Sequence, residues 1–198
     1  MAQIEIIARG YANPAKGGWR ATSTCTFIQE NNVKILVDPG MDRKALMNGL
    51  KKSKLKTSDI NYVILTHYHL DHSLLAGIFE NAKILDNGDI YSWDGKMKKH
   101  NGAIPKTKVR IIKTPGHDNF HCSVIAKTKE YGTIAIAGDV FWWRDGEKQE
   151  ETSETLLKHK DPYVKDKTAL KKSRQLLLEN ADIIFPGHGK PFRKIRLE

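Results

Sequence analysis

Cysteine is scarce in this chain. Cys25 and Cys122 are the only two in 198 residues, and neither has a Cys-x-x-Cys partner. Both lie in strand-like segments, Thr24-Cys25-Thr26-Phe27 and His121-Cys122-Ser123-Val124. They read as reduced structural thiols, although a disulfide between them turns on a distance that sequence does not give. Long apolar runs are absent too. No stretch approaches the roughly 20 residues that cross a bilayer, so no membrane-spanning helix is expected. Residues 1–11 lack both a basic n-region and a long apolar h-region, so they do not read as a signal peptide, and the expected compartment is the cytoplasm. Internal repeats, low-complexity tracts and linkers are missing, which leaves a single domain over 1–198 as the expectation.

Acidic residues are in the minority. There are 23 Asp and Glu against 33 Lys and Arg, a net charge of +10. Basic residues recur in 43–56, 96–110, 165–174 and 190–196. Such a balance favours anionic partners, nucleic acid or phosphorylated metabolites among them. The charges are scattered rather than gathered into one block, which fits solvated helix faces equally well. A homodimer is compatible with the chain.

What is present is a strong alternation of short apolar runs and polar turns. Residues 4–8, 22–29 and 33–37 read as antiparallel strands, the last ended by Asp38-Pro39-Gly40. Asp42 is placed to cap a helix over 43–52, with Ala45, Leu46, Met47 and Leu50 inward. Residues 61–65 form a buried strand that runs into a histidine-rich turn, followed by a short helix over 73–79. Further strands are expected at 83–85, 90–93 and 109–113, with a hairpin over 124–127 and 133–137 turning at Lys129-Glu130-Tyr131-Gly132. Residues 144–161 read as a surface loop or a loosely packed helix near the mouth of a site. A helix over 167–180 offers Leu170, Leu176, Leu177 and Leu178 to the core, and 183–185 is the last strand. Strands and helices mixed along the whole length indicate a layered α/β fold.

The chemistry sits in Thr66-His67-Tyr68-His69-Leu70-Asp71-His72, then His117 in Thr-Pro-Gly-His, Asp139 in Ala-Gly-Asp-Val and His188 in Phe-Pro-Gly-His-Gly. Each group is a hard or borderline metal ligand, and each follows an apolar run, so one sheet edge would collect them all. His67 and His69 share one side of an extended turn, and His117 makes a three-nitrogen set with one open position, the arrangement of a catalytic zinc. Asp71 and His72 face the other way, toward a second ion completed by His188. Asp139, with two oxygens, can bridge a pair held about 3.5–4 Å apart. Cys122 is a secondary candidate, because these groups already complete a site. Water held between two such ions loses its proton toward a pKa near 7, and the hydroxide attacks an ester, thioester, lactone or phosphodiester. Asp71 is placed to orient it and to carry a proton to the leaving group. Two zinc ions are expected, with iron or manganese as alternatives, because imidazole and carboxylate accept all three. His100 and His159 lie in lysine-rich stretches and read as solvated. His121 and Trp142 are weaker candidates for substrate contact, and Trp142 and Trp143 together are expected to supply at least one pocket wall. Trp19 and Arg20, after Gly17-Gly18, form either a flap over the site or a plain hairpin loop.

In these residues and their order the chain resembles the metallo-β-lactamase-fold superfamily. The resemblance implies a four-layer αβ/βα sandwich with the site at one edge of two packed sheets. It implies His67, His69 and His117 on one metal, Asp71, His72 and His188 on the other, and Asp139 between them. Gly138-Asp139-Val140-Phe141, Asp161-Pro162, Ser173-Arg174, Ala181-Asp182 and Pro186-Gly187-His188-Gly189-Lys190-Pro191-Phe192 are similar to a small single-domain group within it, named metallo-β-lactamase domain-containing protein one. Animal members of that group are associated with RNA 3′-end cleavage, which together with the basic charge makes RNA endonuclease activity a rival to small-molecule hydrolysis. Antibiotic hydrolysis is disfavoured by the missing secretion signal and by Asp71. A glyoxalase II-like activity is disfavoured by Asp118, where those enzymes often carry threonine, and by the short C-terminal region. A flavodiiron-type oxidoreductase would need a flavin domain. A non-catalytic metal- or nucleic-acid-binding module would not need the complete ligand set.

Overall fold

The computed structural model describes residues 1–193; the end of the last basic run lies outside them. The strands are β1 (Gln3–Ala8), β2 (Tyr11–Ala15), β3 (Gly18–Thr22), β4 (Cys25–Glu30), β5 (Val33–Val37), β6 (Tyr62–Ile64), β7 (Lys83–Leu85), β8 (Asp89–Tyr91), β9 (Met97–Lys99), β10 (Arg110–Lys113), β11 (Cys122–Lys127), β12 (Thr133–Trp142) and β13 (Ile183–His188). The α-helices are α1 (Arg43–Lys52), α2 (Leu70–Ser73), α3 (Ser153–Lys158) and α4 (Lys167–Asn180). A seven-stranded sheet runs β1-β4-β5-β6-β7-β8-β9, a four-stranded sheet runs β10-β11-β12-β13, and β2-β3 form a separate hairpin. Pairing is parallel at β5–β6, β6–β7 and β12–β13 and antiparallel elsewhere.

The layers follow from period-two burial. In β5, Val33, Ile35 and Val37 enter a core shared with Val124, Ile134 and Ile136 of the second sheet. Leu36, on the opposite face, packs with Leu46 and Leu50 of α1. In β12 the outward residues Ala135 and Ala137 are small, and Leu170 and Leu177 of α4 pack against them. Central strands are therefore apolar on both faces, and the stack is helix, sheet, sheet, helix. This is the expected αβ/βα sandwich. Each fully buried leucine or isoleucine contributes about 1.5–3 kcal/mol of transfer free energy. Among the described residues no helix is long and apolar enough to cross a membrane.

The helices start where their caps are. The Asp42 carboxylate accepts from the Ala45 N–H at 2.9 Å, and Lys51 and Lys52 occupy the negative end of α1. The Asp166 carboxylate accepts from the Thr168 and Ala169 N–H groups at 2.8 and 3.0 Å.

Several local expectations differ from the structure. Met47 and Leu176 are 39% and 40% exposed. At about 100° per residue each is rotated off the buried face carried by Leu46 or Leu177. Thr22 closes β3 rather than opening β4, and Trp19 and Arg20 lie on the β2–β3 hairpin. The helix expected over 73–79 is one α-turn, α2, followed by a 3₁₀ turn at Leu74–Ile78. Residues 144–161 contain α3, capped by Thr152. β9 has three exposed residues and no apolar signature, which is why sequence does not reveal it. His100 and His159 are not solvated. The His100 ring bonds the Asp86 carbonyl at 3.0 Å and the Gly102 N–H at 2.9 Å. His159 bonds the Trp142 carbonyl at 2.8 Å, and its ring centroid lies 5.0 Å from that of Trp143. Both cysteines are buried and free.

Gly49, inside α1, has an unusual sign. Replacing an exposed helical glycine by alanine gains about 1 kcal/mol. A Cβ on Gly49 would overlap the Ile7 carbonyl of β1, a backbone atom that cannot rotate away. Gly77 lies in the 3₁₀ turn Leu74–Ile78, where the α-helical gain does not apply, and has nothing within 4 Å of the same position. Gly49→Ala is therefore expected to lower stability by about 1–3 kcal/mol, the usual range for overpacking, and Gly77→Ala to leave it within about 0.5 kcal/mol, as urea midpoints would measure.

Candidate metal centre

Backbone hydrogen bonds tie together the segments that end at one edge of the sandwich. The Cys122 N–H donates to Thr66 O at 2.8 Å, Ser23 N–H to Asp71 O at 2.8 Å, Gly40 N–H to His72 O at 3.0 Å and Thr24 N–H to Gly187 O at 2.6 Å. The loop after β6 thereby carries His67 and His69, α2 carries Asp71 and His72, the loop after β10 carries His117, the middle of β12 carries Asp139, and β13 ends on His188. The ladder to β13 is irregular around Gly138, whose φ is 49°. A Cβ there would stand 2.5 Å from Thr66 Oγ1 and 2.7 Å from His121 Nε2, so glycine lets β12 bend in and aim Asp139 at the histidines.

The donor atoms fall into two groups, each within a 4.8 Å span, that could hold a metal ion: His67, His69, His117 and Asp139, and Asp71, His72 and His188. Asp139 faces both. Its Oδ2 is 3.5 Å from His117 Nε2 and 3.9 Å from His67 Nε2; its Oδ1 is 3.2 Å from His72 Nε2 and 3.8 Å from His188 Nε2. His188 Nε2 lies 3.2 Å from Asp71 Oδ2, and His117 Nε2 lies 3.2 Å from His69 Nδ1. Four ligands about 2.0–2.1 Å from a tetrahedral centre sit about 3.4 Å from one another, so the spacing suits a cation.

Bonding at the rear of each ring supports the same conclusion. Asp38 accepts from His72 Nδ1 at 2.8 Å, and Asp161 accepts from His117 Nδ1 at 2.7 Å. Thr66 Oγ1 lies 3.1 Å from His67 Nδ1, and Tyr11 O lies 3.1 Å from His188 Nδ1. With those nitrogens engaged, the opposite nitrogens are presented bare. His67 Nε2, His72 Nε2 and Asp139 Oδ1 are all buried without a hydrogen bond, although the last two are near neighbours. Orphaned buried donors and acceptors are costly, and a shared cation would satisfy all three.

The electrostatics are those of a preformed cation site. Burial pushes the Asp139 carboxyl up, but the His72 and His188 charges outweigh it and hold it well below the usual range. Burial also pushes the His72 imidazole down, and the Asp139 and Asp38 carboxylates overcome that to hold it well above its ordinary value. Positive charge is thus favoured where these carboxylates meet. Burial, followed by the His72 charge, keeps His67 well below the ordinary histidine value.

His121 is not a substrate group. It is fully buried, its Nδ1 lies 3.1 Å from Thr114 Oγ1, and its Nε2 accepts the Asp139 backbone N–H at 3.1 Å. The ring stacks on His67 with centroids 4.9 Å apart. It supports the site from behind. Trp142, by contrast, lines a cavity of about 510 Å³ over the donors, with Trp19, Met41, Leu70 and Tyr163. Trp143 packs with Phe141 and Phe192 instead. Asp38, Asp161, Met41 and Tyr163 are not evident as site residues from sequence. In the sequence Asp38 is part of a turn signal, and Asp161 ends the polar stretch 144–161 in an Asp-Pro pair.

The pattern of the Metallo-beta-lactamase superfamily matches residues 18–97. Metallo-beta-lactamase domain-containing protein 1 of Rattus norvegicus is 32% identical, the match covering 98% of this chain and 87% of that protein. A solved structure of a candidate metallo-beta-lactamase from Thermotoga maritima superposes with a TM-score of 0.74 at 20% identity, covering 97% of this chain and 99% of that one. A dizinc quorum-quenching lactonase in complex with a product gives a TM-score of 0.66 at 14% identity, over 90% of this chain and 78% of that one.

Two outcomes follow from this geometry. Asp38→Ala is expected to weaken metal affinity about 10–100-fold by freeing the His72 ring, as competition against a chelator would show. The second concerns acid. Burial, reinforced by His117, pushes His121 down to about 3, so the unfolded chain, near 6.5, takes up a proton first. Stability should fall as pH drops from about 6.5 toward 3, by up to about 1.4 kcal/mol per pH unit for this one group. Urea unfolding across that window should show a shallower pH dependence in His121→Gln.

Proposed function

The chain belongs to the metallo-β-lactamase superfamily, and on that premise we propose that it is a dinuclear metal-dependent hydrolase of carboxylic esters, thioesters or lactones with an apolar acyl portion. The observation that carries this reading is the lining of the cavity over the donors. Among the described residues it consists, besides His69, Asp71, Asp139 and His188, of Ala12, Trp19, Ala21, Met41, Leu70, Trp142 and Tyr163, with no lysine or arginine. An acyl chain would bury its methylenes there at about 0.8 kcal/mol each. A nucleic-acid backbone would find two carboxylates and no cationic side chain, so the basic charge of the chain gives an RNA-cleaving reading no support at this cavity. The lactonase likeness is consistent with the acyl reading.

His67, His69 and His117 would hold one divalent cation, Asp71, His72 and His188 a second, and Asp139 would span both. Zinc suits this donor set best, with iron or manganese as alternatives. Bound there, such cations acidify water toward neutral pH and polarise the carbonyl of the substrate. The protein contributes orientation. Asp38, Thr66, Asp161 and the Tyr11 carbonyl fix the rings from behind. Asp71 is the most exposed carboxylate of the set, at 22%, and is placed to orient the attacking water and pass its proton to the leaving oxygen or sulfur. Leu70, Met41, Trp142 and Tyr163 seat the acyl group and exclude bulk water.

The zinc-loaded protein should hydrolyse 4-nitrophenyl hexanoate, hexanoyl thioesters or N-hexanoyl homoserine lactone in preference to bis(4-nitrophenyl) phosphate. His67→Ala and His188→Ala should each lose more than about 100-fold in kcat/KM, with the circular dichroism of the native fold retained. Full activity in both variants, or a preference for the phosphodiester, would overturn the reading.

A further inference from the structure

A second and larger cavity, about 930 Å³, lies on the other side of Trp142. Trp142 lines both cavities, and the turn after α3 divides itself between them: Asp161 and Pro162 line the large one, Tyr163 the apolar one. The lining of the large cavity differs in kind. It includes the cationic side chains of Arg144, Lys158, Lys160, Lys167, Lys171 and Arg174 against the acidic ones of Asp145, Glu147 and Asp161.

The acids are already engaged. Asp145 accepts from the Asn13 amide, Glu147 from the Arg144 backbone N–H, and Asp161 from His117, Trp142 and the Tyr163 backbone N–H. Lys158 pairs with Glu154. The other five cations have no carboxylate at ion-pair distance among the described residues. Lys167, Lys171 and Arg174 come from one face of α4, at positions i, i+4 and i+7. Arg174 is the most telling. Only 3% of it is exposed, its Nε donates to Val140 O at 2.9 Å and its Nη1 to His159 O at 2.6 Å, but its Nη2 has no partner. The guanidinium also lies over the Phe141 ring, 5.7 Å from its centroid, but with one donor free and no carboxylate at ion-pair distance among the described residues its charge is only partly offset, and its field falls on the cavity it lines. Convergent lysine and arginine side chains in a concave site are the complement of a multiply charged anion, phosphate esters above all.

We propose that this cavity binds the phosphate-bearing leaving portion of the substrate. The acyl group would lie in the apolar cavity, the scissile carbonyl over the metal donors, and the alcohol or thiol half would cross the Trp142–Tyr163 ridge, whose ring centroids are 5.8 Å apart. Water adds its hydroxyl to the acyl carbon, the C–O or C–S bond breaks, and the proton passes to the departing oxygen or sulfur. The products are a carboxylic acid and a phosphorylated alcohol or thiol. This deepens the hydrolase reading and rests on it.

The test compares two thioesters that differ only in their anionic part, hexanoyl-coenzyme A and hexanoyl-N-acetylcysteamine, with the zinc-loaded enzyme. The first should have a kcat/KM at least about tenfold higher, expressed in KM. The double variant Lys167→Gln/Lys171→Gln should abolish that preference and leave the N-acetylcysteamine thioester unaffected. Equilibrium dialysis with adenosine 3′,5′-bisphosphate gives a readout that needs no turnover. Its affinity should drop at least about tenfold in the double variant. Equal kcat/KM for the two thioesters, equal losses for both in the variant, or unchanged bisphosphate binding would each overturn the proposal. Absence of turnover of either thioester would sink the hydrolase reading, and with it the substrate assignment. The dialysis would then still decide whether the cavity is an anion site. A single-stranded RNA that binds more tightly than the bisphosphate, through the same lysines, would overturn a small-molecule occupant.

Discussion

One buried carboxylate, Asp139, stands within 4 Å of four imidazole nitrogens. Such a crowd is unfavourable in a protein interior unless positive charge is shared among its members, and the surrounding architecture keeps the members from escaping. Each of four rings is held at its far nitrogen, His67 by its neighbour Thr66 and the other three by groups distant in sequence: Asp38, Asp161 and the Tyr11 carbonyl. The bend of β12 at Gly138 delivers the carboxylate, and His121 pins its backbone N–H. The two sheets and their helices provide rigid walls from which these parts can be held to fractions of an ångström.

Around that centre the surface is divided by chemical character. Aromatic and aliphatic groups meet the donors on one side of Trp142, and unpaired cations gather on the other. The indole belongs to both regions and to the centre as well, because its N–H bonds the same Asp161 carboxylate that holds His117. The charge excess of the chain is thus informative in its placement rather than in its size. Among the described residues, five cations without carboxylate partners surround one cavity, and none lines the one beside the donors.

Much of this was legible in the sequence because ligand geometry is written locally. His67, His69, Asp71 and His72 lie within one turn, and a short apolar strand before each donor segment is enough to direct the donors to a common edge. Short apolar runs at 22–29, 33–37 and 133–137 likewise marked strands, and the mixture of strands and helices along the chain marked a layered α/β fold. What stayed hidden depends on long-range contact. Asp38 looks like part of a turn until His72 is found 34 positions later. Asp161 sits in a polar stretch until it meets His117 across 44 positions. His121 carries the same side chain as the donors and is as buried as His72, and only the engagement of both its ring nitrogens, by Thr114 Oγ1 and the Asp139 N–H, separates its role from theirs. Trp142 was identified as a pocket candidate from its distance to Asp139, but no pattern distinguished it from Trp143, whose ring turns into the core.

The bond from His188 to the Tyr11 carbonyl links positions 177 apart, and β13, which presents that imidazole, is the last strand of the described chain. The second donor group therefore cannot exist while the polypeptide is only partly made, however well β1 to β9 have already paired. Contacts of such sequence separation form late and are costly in loop entropy. Completion of the second donor group is accordingly a closing event in the life history of the molecule, and a chain stalled before β13 would hold all four members of the first group beside a second group that lacks His188.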